Sequence, residues 1–166
     1  MGNPEHLKIL LQGAAVWNQW RRQNPEAVPD LSGAKLDQAD LSGADLTRAD
    51  LKYASLTSAN LNGSILVHGN LTGADMERAD LTGANLESAT LTRASMVHVN
   101  AVGAILNGAR LRYADLRWAD LCHADLRLAH LANADLMDAD LRSAKLEGAT
   151  GIQRRTLGQR SSLRAN

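Results

Sequence analysis

Along most of this chain the apolar positions follow neither the 3.6-residue period of a helix nor the two-residue period of a strand. From Pro29 to Gly148 they recur every five residues. Apolar centres run through Leu31, Leu36 and Leu41 to Leu146, 24 units in all. Of these centres 21 are Leu, and the others are Met76, Met96 and Ala101. With the centre as position 0, position −2 is Ala in 20 units, the exceptions being Pro29, Ser64, Gly69 and Val99. Position −1 is Asp or Asn in 15 units, while positions +1 and +2 vary freely. Two fixed apolar positions per unit, repeated without drift, require a backbone that turns by a constant angle at each unit. A square coil meets that requirement, with one unit per side and about 20 residues per turn. Leu and Ala then face the axis, and positions −1, +1 and +2 face solvent. One coil cannot bury its own Leu faces, so stacking supplies the stability. At Ala101 the large and small residues are exchanged, with Val99 in the Ala place. Volume-conserving swaps suit a packed core, so both are expected to be buried in one layer.

The units Ala39-Asp40-Leu41-Ser42-Gly43, Ala44-Asp45-Leu46-Thr47-Arg48 and Ala114-Asp115-Leu116-Arg117-Trp118 resemble the pentapeptide-repeat family, whose pattern is A-(D/N)-L-x-x. The resemblance implies an all-β solenoid, a right-handed quadrilateral β-helix of about six coils. Coils spaced by ~4.8 Å would give a rod of roughly 30 Å. Such repeats preceded by a Trp-bearing helix are similar to proteins abundant in cyanobacteria.

Before the repeat the period changes. Asn3 is placed to cap a helix and Pro4 to open it, and Asn24-Pro25 ends it. Leu7, Leu10, Leu11, Ala14, Trp17 and Trp20 form a stripe at helical spacing. One helix over about residues 4–22 is expected, lying over the first coil as a structural cap, because open coil edges invite aggregation. The expected organisation is one structural domain, with a helical cap in 1–28, the β-helix in 29–150 and a C-terminal cap or tail in 151–166. The tail carries Arg154, Arg155, Arg160 and Arg164 without an acid.

Composition narrows the function. Aromatics are 3% and Phe is absent, so the core is expected to be narrow and built of Leu and Ala. Lys plus Arg equals Asp plus Glu at 18 each, so no global field draws the chain to nucleic acid or membrane. Cys122 stands alone, which excludes an intramolecular disulfide and fits a reducing compartment. The start lacks the basic region of a signal peptide, and no apolar run approaches the ~20 residues of a bilayer span. A soluble cytoplasmic protein, monomer or homodimer, is expected.

Stacking also filters candidate chemistry, since residues 20 apart lie above one another. His68, His98, His123 and His130 fall on four different sides, so no metal site is expected. Cys122 and His123 are outward neighbours without an orienting third group, so no catalytic site is expected either. No cofactor site is expected. The Asp residues at −1 are assigned to local backbone hydrogen bonding, and glycines at +2, such as Gly33 and Gly43, to easing the corners.

Two outer regions break the pattern. Ile65 and Ile105 replace Asp or Asn at −1 on one side of the rod, with Val67 beside Ile65, making an apolar patch. Arg110, Arg112, Tyr113, Arg117, Trp118 and Arg127 make the second candidate surface, with Arg93 expected beside Tyr113. A non-catalytic scaffold for an unidentified protein partner follows. The family resemblance offers an alternative: some members mimic DNA and act on DNA gyrase. Residues 30–90 hold 9 acids and 4 bases, an acidic half interrupted by cations. Direct nucleic-acid binding is not expected.

Overall fold

The computed structural model describes residues 2–152. Each unit closes the same four-residue turn. The N–H of Ala34 donates to the Leu31 carbonyl at 3.0 Å, and the pattern continues to Ala149 and Leu146 at 2.9 Å. The turn places position +2 in the left-handed region throughout. Glycines such as Gly33 (φ 63°) adopt it freely, but so do 16 non-glycine residues at φ 56–60°, among them Tyr53, Tyr113 and Trp118. A left-handed residue in every unit ends extended backbone almost as soon as it begins. The coils therefore meet through single-residue parallel bridges from Asp30–Asp50 to His130–Thr150, always 20 residues apart. This corrects the β-helix expectation in one respect: the described residues contain bridges and no longer strands. The first coil is taken as residues 29–48 and the sixth as 129–148.

The hydrogen bonds explain the Asp and Asn at −1. The N–H at 0 donates to the next coil, as Leu31 does to the Asp50 carbonyl at 2.8 Å. The N–H at +2 does the same, Gly33 to Lys52 at 2.8 Å, and the N–H at −1 reaches back, Asp50 to Pro29 at 2.8 Å. Only the N–H at +1 lacks a backbone acceptor. In all fifteen units with Asp or Asn at −1, the side-chain Oδ1 accepts that N–H, as Asp40 does from Ser42 at 3.1 Å. The side chain completes a turn that the backbone leaves one bond short.

Leu and Ala fill the axis, and Val99 and Ala101 are both fully buried, as their exchange of place requires. Ser64, in an Ala place, is buried with its Oγ unpartnered. Ser64→Ala should therefore stabilise the protein by about 1 kcal/mol, because an orphaned hydroxyl is removed without loss of packing. A higher urea midpoint at unchanged slope is the expected reading; a lower midpoint would mean the hydroxyl has a partner.

The N-terminal cap is two helices, α1 (Pro4–Leu10) and α2 (Ala14–Gln23), rather than one. Asn3 caps α1 by accepting from the Glu5 N–H at 2.9 Å. Gly13, at φ 102°, breaks the helical run. The break takes Leu11 out of the expected stripe: it ends α1 and is 58% exposed. Leu10 and Trp17 are buried, and Leu7 and Trp20 pack against the core.

The cap's hydrogen bonds concentrate on two sides of the first coil, and Asn18 Nδ2 adds one to the Gly43 carbonyl at 2.9 Å, at the corner that ends the Leu41 side. The Asp30 carbonyl accepts from Asn3 N–H (2.9 Å) and the Ser32 carbonyl from Gly2 N–H (2.7 Å). The Asp30 N–H donates to His6 Nδ1. One corner away, the Asp45 carbonyl accepts from Trp17 Nε1 at 2.7 Å, the Asp45 N–H donates to Asn18 Oδ1, and the Thr47 carbonyl accepts from Arg21 Nη2. On the two sides between, the edge groups of Lys35, Asp37, Asp40 and Ser42 gain no backbone or cap partner among the described residues. Charged side chains at such an edge discourage pairing with another chain. The expected C-terminal cap lies outside the described residues beyond Ile152.

Candidate interaction surface

Since positions 0 and −2 are committed to the core, any recognition rests on −1, +1 and +2. The candidate arginines divide there into two kinds. Where Asp stands at −1 and Arg at +1, the turn that fixes the carboxylate also brings the guanidinium back onto it. Arg117 pairs with Asp115 through Nε (2.8 Å) and Nη2 (2.7 Å). Arg127 pairs likewise with Asp125, and Arg142 with Asp140. These bidentate bonds hold the Asp115 and Asp125 carboxyls below the usual range. The Asp140 carboxyl falls to about 2, with the Arg142 side chain as the main cause.

Arg112 has Arg110 at −1 instead of an acid. Among the described residues Arg93, Arg110 and Arg112 make no ion pair, and all three are exposed. Tyr113, 48% exposed, lies among them, with the guanidinium carbons of Arg93 and Arg112 each 5.8 Å from its ring centroid. The next side carries Trp118, 42% exposed. It stacks on His98 at 5.1 Å and 15°, with Arg117 5.3 Å from its ring. The six candidate residues thus do not form one surface. Arg110, Arg112 and Tyr113 share a side, Arg117 and Trp118 occupy the next, and Arg127 is two units beyond that.

The apolar candidates share a side, but Asn85 separates them, since Ile65 bridges to Asn85 and Asn85 to Ile105. Ile65 and Ile105 are 42% and 37% exposed, and Val67 is half-buried.

One arrangement escaped the sequence reading, although the 20-residue rule contains its signal. Asp120 and Asp140 stack with Cys122 alongside, and their ligand atoms lie within 4.8 Å of one another. Burial, followed by hydrogen bonds to the two carboxylates, pushes the Cys122 thiol up to about 11. The thiol therefore stays protonated at neutral pH. Its reaction with a disulfide reagent at pH 8 should be about tenfold slower than that of an ordinary thiol, since the smaller thiolate fraction is partly offset by a more nucleophilic thiolate, and urea should abolish the difference. Equal rates in folded and unfolded protein would show that the carboxylates do not act on the thiol.

The family model for pentapeptide repeats, which spans eight copies of the unit, matches residues 30–66, 66–96, 91–127 and 114–150. The chain belongs to the pentapeptide-repeat family. Among solved pentapeptide-repeat structures, Rfr23 from the cyanobacterium Cyanothece 51142 is 30% identical with a TM-score of 0.52. That match covers 58% of this chain and 62% of Rfr23, so the chain spans less than two thirds of that relative. HetL from Nostoc sp. strain PCC 7120, described as involved in heterocyst differentiation regulation, is 32% identical. It covers 76% of this chain and 68% of HetL at a TM-score of 0.42. QnrB1, a plasmid-mediated fluoroquinolone resistance protein, is 18% identical with a TM-score of 0.59, covering 75% of this chain and 74% of QnrB1. It shares the solenoid fold. No curated protein matches the chain. No helix among the described residues is long and apolar enough to cross a membrane.

Proposed function

We propose that this pentapeptide-repeat protein is a non-catalytic scaffold. In this reading it binds a protein partner through outer side chains of its fourth to sixth coils, with residues 1–28 as its cap. The observation that carries the reading is the contrast among arginines. Arg117, Arg127 and Arg142 are each consumed by a carboxylate of their own unit. Arg93, Arg110 and Arg112 stand exposed around Tyr113 without an ion pair among the described residues. Arg and Tyr are the residue types that dominate binding hot spots.

Cross-linked affinity capture from the native host tests it, with wild type compared against Trp118→Ala and Ile65→Asp. A partner lost in Trp118→Ala supports the scaffold and its fourth-to-sixth-coil surface; one lost only in Ile65→Asp keeps the scaffold but moves its surface to the apolar patch of the second coil. Capture of nothing above background by the wild type removes the reading.

A second reading, DNA mimicry directed at gyrase, draws on the side that carries Leu41. Its −1 positions are Asp40, Asn60, Asp80, Asn100, Asp120 and Asp140, bridged in one column, and Arg142 is the sole Arg or Lys within those six repeat units. A gyrase supercoiling assay decides this reading: no inhibition and no drug protection at micromolar protein eliminates it.

A further inference from the structure

Asp or Asn at −1 satisfies the one N–H that the backbone turn leaves over, so dropping it forgoes a local hydrogen bond. On the side carrying Leu41 it is never dropped. On the other sides it lapses singly, or twice in a row at Lys35 and Ser55. On the side carrying Leu91, Leu111 and Leu131 it lapses in three successive coils, at Thr90, Arg110 and His130, which bridge to one another in a column. The same side collects Arg93, Arg112 and Tyr113 and has no acid over these coils. A shallow groove of about 380 Å³ runs there between Arg110, Arg112, His130 and Thr150. Ala132, 20 residues on from Arg112, also lines it.

We propose that this side of the fourth to sixth coils binds an extended acidic segment of a protein partner, whose carboxylates seat in the groove between Arg110, Arg112 and His130. The inference rests on the scaffold reading above and names the partner's chemistry. The charge is the primary reason: three guanidiniums without a partner acid among the described residues are placed where the usual stabilising carboxylate is absent. The acids beside the surface select a peptide over a nucleic acid. Asp115 and Asp135 border it on the adjoining side, where a broad polyanion would meet them. The Tyr113 ring is already approached by Arg93 and Arg112, so it offers no free platform for a base.

The decisive variant is Arg110→Asp. It restores the prevailing residue at −1, gives the Arg112 N–H its missing acceptor and sets a carboxylate behind Arg112, as Asp115 stands behind Arg117. It should fold at least as stably as wild type, which thermal unfolding checks. The probes are a fluorescein-labelled decapeptide of alternating Asp and Glu and a single-stranded DNA decamer with the same label. Both are titrated with the full chain at low salt and followed by anisotropy. The peptide should bind saturably and more tightly than the DNA, and Arg110→Asp should weaken it by about tenfold or more. Absent peptide binding, equal binding by a well-folded Arg110→Asp, or tighter binding of the DNA would each overturn the proposal. So would sedimentation showing a self-associated wild type that Arg110→Asp renders monomeric, because the occupant would then be a second copy. Native partners captured equally by wild type and Arg110→Asp would overturn this surface and leave the scaffold reading intact.

Discussion

Trp17→Ala should destabilise the protein by about 3–5 kcal/mol, the range for removing a fully buried large aromatic side chain. Trp17 is completely buried and is the largest such side chain in the molecule. Its ring centroid lies 5.0 Å from that of Trp20, which lies 5.0 Å from the His6 ring. His6 in turn accepts the Asp30 N–H, so the aromatic cluster reaches both capped sides of the first coil. Truncation also leaves the Asp45 carbonyl without the indole N–H that reaches it at 2.7 Å. In a solenoid each coil contacts only its neighbours, so the damage should be local. Amide exchange should quicken in the first coil and stay near wild type in the fourth and fifth. Trp17→Phe, which keeps bulk and loses the hydrogen bond, should account for only about 1 kcal/mol of the loss. A uniform loss of protection along the rod would mean that the cap does not act on the first coil alone.

The second large effect concerns the exchanged pair. Ala101→Leu alone places a Leu beside Val99 in a filled layer and should cost about 1–3 kcal/mol by overpacking. Val99→Ala alone empties the same layer and should cost about 1–2 kcal/mol. The double change restores the prevailing Ala-and-Leu unit and should return stability close to wild type. The two sites are expected to couple by about 2 kcal/mol or more. Additive losses would show that Val99 and Ala101 do not share one packing volume.

The exchanged pair was legible because the period of five states which residues face inward, whatever their identity. The same rule placed Arg93 beside Tyr113, and it contained the His98–Trp118 stack and the Asp120–Cys122–Asp140 cluster, which were not drawn from it. What period could not supply was the path of the chain within a unit. Asp115 and Arg117 read as mixed charge on a basic band. Only the left-handed corner after Arg117 and the N–H bond to Asp115 show that the two side chains fold onto each other. The helical stripe failed at Leu11 for a comparable reason: spacing assumes an unbroken helix, and Gly13 breaks it.

By itself, then, the sequence determined the five-residue unit, the identity of the core and the twenty-residue coil. Each follows from apolar burial repeated at one period, a property of composition and spacing. The tertiary structure alone decided which edge groups of the first coil the cap reaches, and which arginines are neutralised within their own unit. Both depend on where hydrogen-bonding groups point once the chain has turned, and direction, unlike periodicity, is not written in the order of residues.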